Sequence, residues 1–458
     1  MTSQQVVSHQ VADALAPTAG SGSDPAPKDL YVGCINPRAL TEVLLGRKVD
    51  WNEKSSVKLM TDTLQTDYNE LFDMKYNSPL YAGLKLQNGH VVKLPPAQIE
   101  ILEPHQRATP DLMKVKKLQD LQSIGVDDFA NLNVENAVLE NGKLTVKLDV
   151  PSLNNTITNA SLTQQIFGIT IDSQASPVAA WTAPNCHWQD IGNFMKDVTE
   201  FDSPVQGALG DCWLIAALSA VAWSLPYSID HRTRPTSANE VDHVDELTFY
   251  GKGYGRDAPT GSVEVTDDVV VTNSGDIIVY CRSNNIGEMW PAVYEKAFAK
   301  WTTGNTTDEP NITTLTGGDP ALATAQLTNR QPVYYDTASR SADDLWTIVR
   351  ANSLSYRTFN PMTAWTYATG NQFNGINIAA NHAYTILGWA FQNNKKYIVL
   401  RNPWGYWEPN GLNSYQGILQ FFDESFWLPI NMIPDDGIFA LEADAFKLYY
   451  VTIGVASP

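Results

Sequence analysis

Cys212 opens an apolar run, Cys-Trp-Leu-Ile-Ala-Ala-Leu-Ser-Ala-Val-Ala-Trp-Ser-Leu, that is rich in helix formers and ends at Leu225. A helix with that composition has no face to offer water, so it belongs inside a core. Just ahead stands Gln206-Gly-Ala-Leu-Gly-Asp211, whose two glycines allow a tight turn into the helix. The first helical turn carries unpaired N–H groups and a partial positive charge, which favours loss of a proton from a thiol placed there. Gln206, six residues upstream of Cys212, brings a side-chain amide able to donate to a developing oxyanion. Taken alone, the segment also reads as a structural cysteine in a core helix.

The rest of the composition sets outer bounds. The chain has 458 residues, 43% of them hydrophobic and 18% charged, enough for a large core and about two or three domains. A net charge of −19 argues against nucleic acid and against an anionic membrane surface as partners. Four cysteines (Cys34, Cys186, Cys212 and Cys281) show neither disulfide-framework nor zinc spacing. The adjacent Cys186 and His187 lack a second pair that would complete a metal site, and read as structural. No signal peptide and no bilayer-spanning apolar stretch is visible, so a reducing, cytoplasmic setting is expected.

Residues 1–28 are rich in Ala, Ser, Gly, Pro and Gln, and a disordered tail is predicted there. Residues 29–175 read as a small α+β accessory domain, inhibitory or targeting by its position ahead of the remainder. It has helix-like stretches at 57–72 and 111–121, and two hairpin signals, Asn88-Gly89 and Asn141-Gly142, between alternating apolar runs. The second domain is expected over 176–458. Its helical segments, the Cys212 run and 290–300, come first; strand-like alternation at 383–389, 396–400 and 418–422 follows. Helices then strands predict an α+β architecture of two packed lobes with a cleft between them.

A thiolate nucleophile needs a base, and the base needs an orienting group. His382 opens the strand-like Ala383-Tyr-Thr-Ile-Leu387, and twenty residues on Asn402 stands in Arg401-Asn-Pro-Trp-Gly405, where a strand runs into a turn. An Asn oxygen there can accept from the imidazole and fix its tautomer, with Trp404 covering that bond from water.

The motifs 206–213, Trp-Pro-Ala-X-X-Glu-Lys-Ala-X-Ala-Lys at 290–300, Gly317-Gly318, His-Ala-Tyr at 382–384 and Arg-Asn-Pro-Trp-Gly at 401–405 stand in one order. Together they resemble the calpain family of cysteine proteases. The resemblance implies a papain-like fold with the cysteine heading a helix in one lobe and the histidine and asparagine on a sheet lobe. It implies that Cys212 is the nucleophile, His382 the general base and acid, and Asn402 the group that orients the imidazole. Gln206 and the Cys212 N–H would form the oxyanion hole, Trp404 would shield the His–Asn pair, and Gly317 and Gly318 would bind substrate backbone. The substrates implied are proteins or peptides, and the chemistry requires no cofactor. Transglutaminases share a related Cys–His layout but favour Asp as third member, so Asn402 speaks for hydrolysis.

Calcium is the regulator that the resemblance implies, with one site in each lobe. Glu288, Glu408 and Asp436 match ligand positions, but Ser203 stands where an acid is expected, with Asp202 beside it, and Ile438 replaces another acid. Calcium takes several oxygen ligands, usually with more than one carboxylate, so both sites read as half-kept. No Asp-X-Asp-X-Asp-Gly loop of the EF-hand type occurs, and the resemblance covers the protease core without the family's C-terminal calcium-binding domains.

Overall fold

The Cys212–Ser224 helix runs through the centre of the protein, and every residue from Cys212 to Trp223 is buried. The computed structural model describes Asp24, residues 32–64, five short strands between 84 and 172, and residues 180–458. Within that last stretch the exceptions are 184–185, 197, 231–233, 236–243, 254–257, 368–370, 374, 410–413, 416–417, 420–429 and 432–434. The central helix packs on the Pro320–Thr328 helix and on two strands, Arg357–Thr366 and Ala383–Gln392. Polar side chains tie it down within this apolar setting. Thr385 Oγ1 donates to the Ala216 carbonyl at 2.7 Å, and Trp223 Nε1 donates to the Leu387 carbonyl at 2.7 Å.

The strands beside it belong to an eight-stranded sheet. In spatial order these are Gln331–Asp336, Tyr450–Ser457, Arg357–Thr366, Ala383–Gln392, Lys395–Arg401, Ile438–Glu442 and Ser414–Tyr415, with Ser353–Leu354 pairing off the path. All the pairings are antiparallel. Ala383–Gln392 and Lys395–Arg401 form a hairpin with Gln392 opposite Lys395. Its two turn residues, Asn393 and Asn394, both take positive φ (51° and 62°), the conformation that matches the twist of flanking strands. The strand-like 418–422 is represented by Ile418–Leu419, which pairs with Ile430–Asn431.

On the other side of the central helix lies Trp290–Thr303, with Pro291 in its first turn and Gly304 (φ 64°) closing it. Phe249, Phe298 and Trp301 cluster around it with ring centroids 5.3 Å apart, and Trp213 reaches Phe298 at 5.7 Å. The mixture of helices and sheet is α+β, as predicted.

Ahead of residue 180, Leu84–Lys85 pairs with Val91–Val92, and Asn133–Glu140 pairs with Lys143–Asp149 through Glu140 opposite Lys143. Both hairpins flank their Asn-Gly dipeptides. Of the helix predicted at 57–72, the described part lies in the helix Lys54–Leu64, and residues 65–72 lie outside the described residues. The helix predicted at 111–121, and the 1–28 tail apart from Asp24, lie outside the described residues. A further helix, Pro37–Leu45, is capped by Asn36, whose side chain accepts from the Arg38 and Ala39 amides. It joins the larger body through Arg282, which pairs with the buried Glu42 at 3.0 Å.

Candidate active site

The 206–211 turn is pressed between neighbours that leave no room for side chains. A Cβ on Gly207 would lie 2.0 Å from the Tyr280 carbonyl oxygen, so glycine is required there. The Gln206 amide donates to the Pro403 carbonyl at 2.9 Å, fixing this turn against the segment that follows Asn402. Its side-chain Nε2 donates to the Leu209 carbonyl at 2.5 Å and to the Cys34 carbonyl. Gln206 is therefore a buried donor at the mouth of the Cys212 helix.

His382 and Asn402 meet although twenty residues separate them, because they sit at neighbouring ends of paired strands, where Thr385 lies opposite Arg401. The imidazole Nε2 lies 2.8 Å from Asn402 Oδ1, which also accepts from the Trp404 amide at 3.0 Å. An oxygen taking one backbone N–H is an acceptor, so Nε2 carries the imidazole proton and Nδ1 presents its lone pair. Nδ1 is buried and has no hydrogen-bond partner. Trp404 is buried, with its ring centroid 4.6 Å from that of His382, and closes the His–Asn bond from solvent.

The Cys212 thiol lies against the backbone amides of Ala383, next to His382, and of Cys34. Burial pushes this thiol up to about 12, against the pull of those amides, and pushes His382 down to about 3 despite the Asn402 hydrogen bond. That direction runs against the easily ionised thiol expected from the helix start, because desolvation disfavours both charged forms.

Gly317 and Gly318 lie alongside the turn: the Gly317 amide donates to the Gly210 carbonyl at 2.7 Å. Gly317 has φ 63°, and a Cβ on Gly318 would meet the Trp213 ring at 2.3 Å. The structure thus gathers Gln206, Cys212, Gly317 and Gly318 at one end of the central helix, and His382, Asn402 and Trp404 at the ends of two paired interior strands of the sheet.

The three acidic positions lie elsewhere. Glu288 Oε2 accepts from Ser203 Oγ at 3.0 Å and from Ser283 Oγ at 2.7 Å. Asp202, the neighbour of Ser203, pairs instead with Asn284. The other Glu288 oxygen, Oε1, is buried without a hydrogen-bond partner, but one carboxylate beside two serine hydroxyls is a poor calcium ligand set. Glu408 and Asp436 stand together: Glu408 Oε1 accepts from the Asp436 and Gly437 amides at 3.0 and 3.1 Å. Burial, then the charges of Asp436 and Asp435, raise Glu408 to about 8. Among the described residues no group of three or more His, Cys, Asp or Glu side chains converges as a metal's ligand set. His187 faces Asn273 and Gln189 through its two ring nitrogens, at 2.8 and 3.1 Å.

Three features escaped the sequence reading. Asp211 and Glu295 are both fully buried just behind Cys212, and desolvation raises both, Asp211 to about 6. The Asp211 preceding Cys212 was visible, but its partner is remote in sequence. Arg401, also fully buried, donates to Ser219 Oγ at 2.8 Å and to the Asp202 and Pro204 carbonyls at 2.7 and 2.8 Å. It clasps the central helix and the approach to Gln206 onto the strand that ends at Asn402. Residues 32–36, finally, lie across the site.

A buried cysteine at a helix start lies against the amide of Ala383, the residue after a histidine whose ring is held by an asparagine. In comparison with known proteins, the calpain family of cysteine proteases matches residues 156–456. A thiol protease from Porphyromonas gingivalis strain W83 is 29% identical over 444 residues, covering 91% of this chain and 85% of that one. The mouse calpain-1 catalytic subunit is 28% identical over 213 residues, or 44% of this chain and 27% of that one. Human calpain-14 is 27% identical over 283 residues, covering 61% and 37% respectively. The chain belongs to the calpain family and is a cysteine peptidase. Among the described residues no helix is long and apolar enough to cross a membrane.

Proposed function

We propose that this chain is an endopeptidase that cleaves peptide bonds in proteins through a thioester on Cys212, with His382 and Asn402 completing a triad. The observation that carries this reading is the imidazole held at Nε2 by Asn402 at 2.8 Å while the buried Nδ1 keeps an open lone pair. In the proposed reaction Nδ1 takes the Cys212 proton and the thiolate adds to the substrate carbonyl carbon. Gln206 Nε2 and the Cys212 amide receive the oxyanion, and His382 returns the proton to the departing amine. Water, deprotonated by the same imidazole, then opens the thioester and frees the acid. Gly317 and Gly318 offer backbone N–H and C=O groups to an extended substrate, and Trp404 keeps water from the His–Asn bond.

The papain-like two-lobe layout is supported by the division of these residues between a central helix and a sheet. The region 29–175 is proposed as an accessory domain ahead of the peptidase. A reducing compartment such as the cytoplasm suits four free cysteines. Calcium regulation is proposed only through Glu408 and Asp436, whose crowded carboxylates would bind the cation and be relieved of mutual repulsion by it. The test of activity is casein hydrolysis by the wild-type protein and by Cys212→Ala, scored by new N-termini. Cleavage in the first and none in the second is expected; equal cleavage in both overturns the reading.

A further inference from the structure

Residues 32–36 run through the site just described. The Val32 amide donates to the Gly318 carbonyl at 2.9 Å and the Val32 carbonyl accepts from the Gly318 amide at 3.0 Å, an antiparallel pair. The Gly33 carbonyl accepts from Asn381 Nδ2 at 3.0 Å, one residue before His382. The Cys34 carbonyl accepts from Gln206 Nε2, and its amide lies against the Cys212 thiol. Asn36 Nδ2 donates to the Gln206 carbonyl at 2.8 Å, while its Oδ1 accepts from the Tyr406 hydroxyl at 3.0 Å. Val32, Cys34, Ile35 and Asn36 are each at most 1% exposed, so this segment is built into the protein rather than laid on its surface.

We propose that residues 32–36 are an intramolecular pseudosubstrate strap, the chain's own peptide closing Cys212 to other peptides until it is displaced. This rests on the roles proposed above for Gln206, Cys212, Gly317 and Gly318. The strap's Val32 backbone pairs with the glycine loop and its Cys34 carbonyl sits on the oxyanion donor, the two contacts proposed above for a substrate. An occupant tethered to its own site acts at a high effective concentration, on the order of millimolar for a short link. The tether here is stiff. The Pro37–Leu45 helix starts at once after Asn36, and Arg38 stacks 3.7 Å over the Tyr406 ring and pairs with Asp435 at 3.5 Å. Burial that disfavours the charged thiol and imidazole fits a covered site, because what excludes substrate also excludes the water that would solvate an ion pair.

Gly33 gives the test its handle: a Cβ there would lie 2.8 Å from the Gly210 carbonyl oxygen and 2.9 Å from Gly317 Cα. Full-length wild type, Gly33→Val and Asn36→Ala are treated with iodoacetamide at neutral pH, and labelling of each cysteine is followed by peptide mass spectrometry. Cys212 and Cys34 are expected to label at least tenfold faster in both variants, while the buried Cys281 stays protected in all three and reports intact folding. If one variant also exposes Cys281, the other decides. Equal Cys212 rates in wild type and a folded variant, or Cys281 exposure in both variants, would overturn the strap. Labelling does not require proteolysis, so faster labelling without casein cleavage would leave the strap standing and remove the peptidase reading.

Discussion

Two sets of side chains share one framework, and each keeps one buried polar atom open, in different company. At His382 the protein satisfies Nε2 through Asn402 and leaves Nδ1 open beside the thiol's neighbour Ala383. At Glu288 two serine hydroxyls fill Oε2, while Oε1 stays buried without a partner. The difference lies in company: the open imidazole nitrogen belongs to the residue before Ala383, whose amide meets a thiol, whereas the open Glu288 oxygen shares its carboxylate with two serine hydroxyls. Glu408 falls between: its oxygen is hydrogen-bonded, yet its acidic neighbours keep it under electrostatic pressure.

The comparison is broken most sharply at the imidazole. His382→Ala removes the base, and turnover of casein is expected to fall on the order of 10⁴-fold, with folding unchanged by circular dichroism. Gln206→Ala removes one oxyanion donor and is expected to cost about 100- to 1,000-fold in kcat, with a smaller change in KM. A fall confined to KM would remove Gln206 from the transition state.

The acidic positions give smaller effects with a definite sign. Glu408 binds its proton more tightly folded than unfolded, being raised from 4.5 to about 8. Its contribution is therefore complete below pH 4.5 and is lost as pH rises through about 8. Glu408→Gln should flatten that loss, and thermal melts from pH 4 to 9 would show it as a higher Tm at pH 8. Calcium should raise the wild-type Tm at pH 8 but not that of Glu408→Gln; the same rise in both would withdraw Glu408 as a ligand. The smallest effect belongs to Glu288→Gln. An amide oxygen still accepts from Ser203 and Ser283, so the stability change is expected to be about 1 kcal/mol and the calcium response unaltered. A lost calcium response would show that the unpartnered Oε1 of Glu288 takes the metal after all.

What was legible in the sequence followed from local pattern. The central helix declared itself because it is apolar on every side, and the Trp290–Thr303 helix because Pro291 and Gly304 punctuate it. His382 and Asn402 were readable as candidates, though only their place beside Cys212 in a motif order joined them. Three things were not legible, the first for want of a turn signature and the other two because of distance along the chain. The Asn393-Asn394 hairpin lacks the Asn-Gly signature that marked the two earlier ones. Arg401 stood inside a quoted motif, yet its clasp on Ser219 and the Asp202–Pro204 carbonyls depends on a fold that brings remote segments together. Nothing in Val-Gly-Cys-Ile-Asn at 32–36 announces a strap, since its partners are backbone groups and amides nearly two hundred residues away or more. The helix-start argument for an acidic thiol was sound locally, and burial in this covered state outweighs it.

The most direct measurement is casein hydrolysis by full-length protein against Cys212→Ala, with Gly33→Val in parallel. The account predicts cleavage by wild type, faster cleavage by Gly33→Val, and none by Cys212→Ala. Casein cut equally by wild type and Cys212→Ala would contradict it.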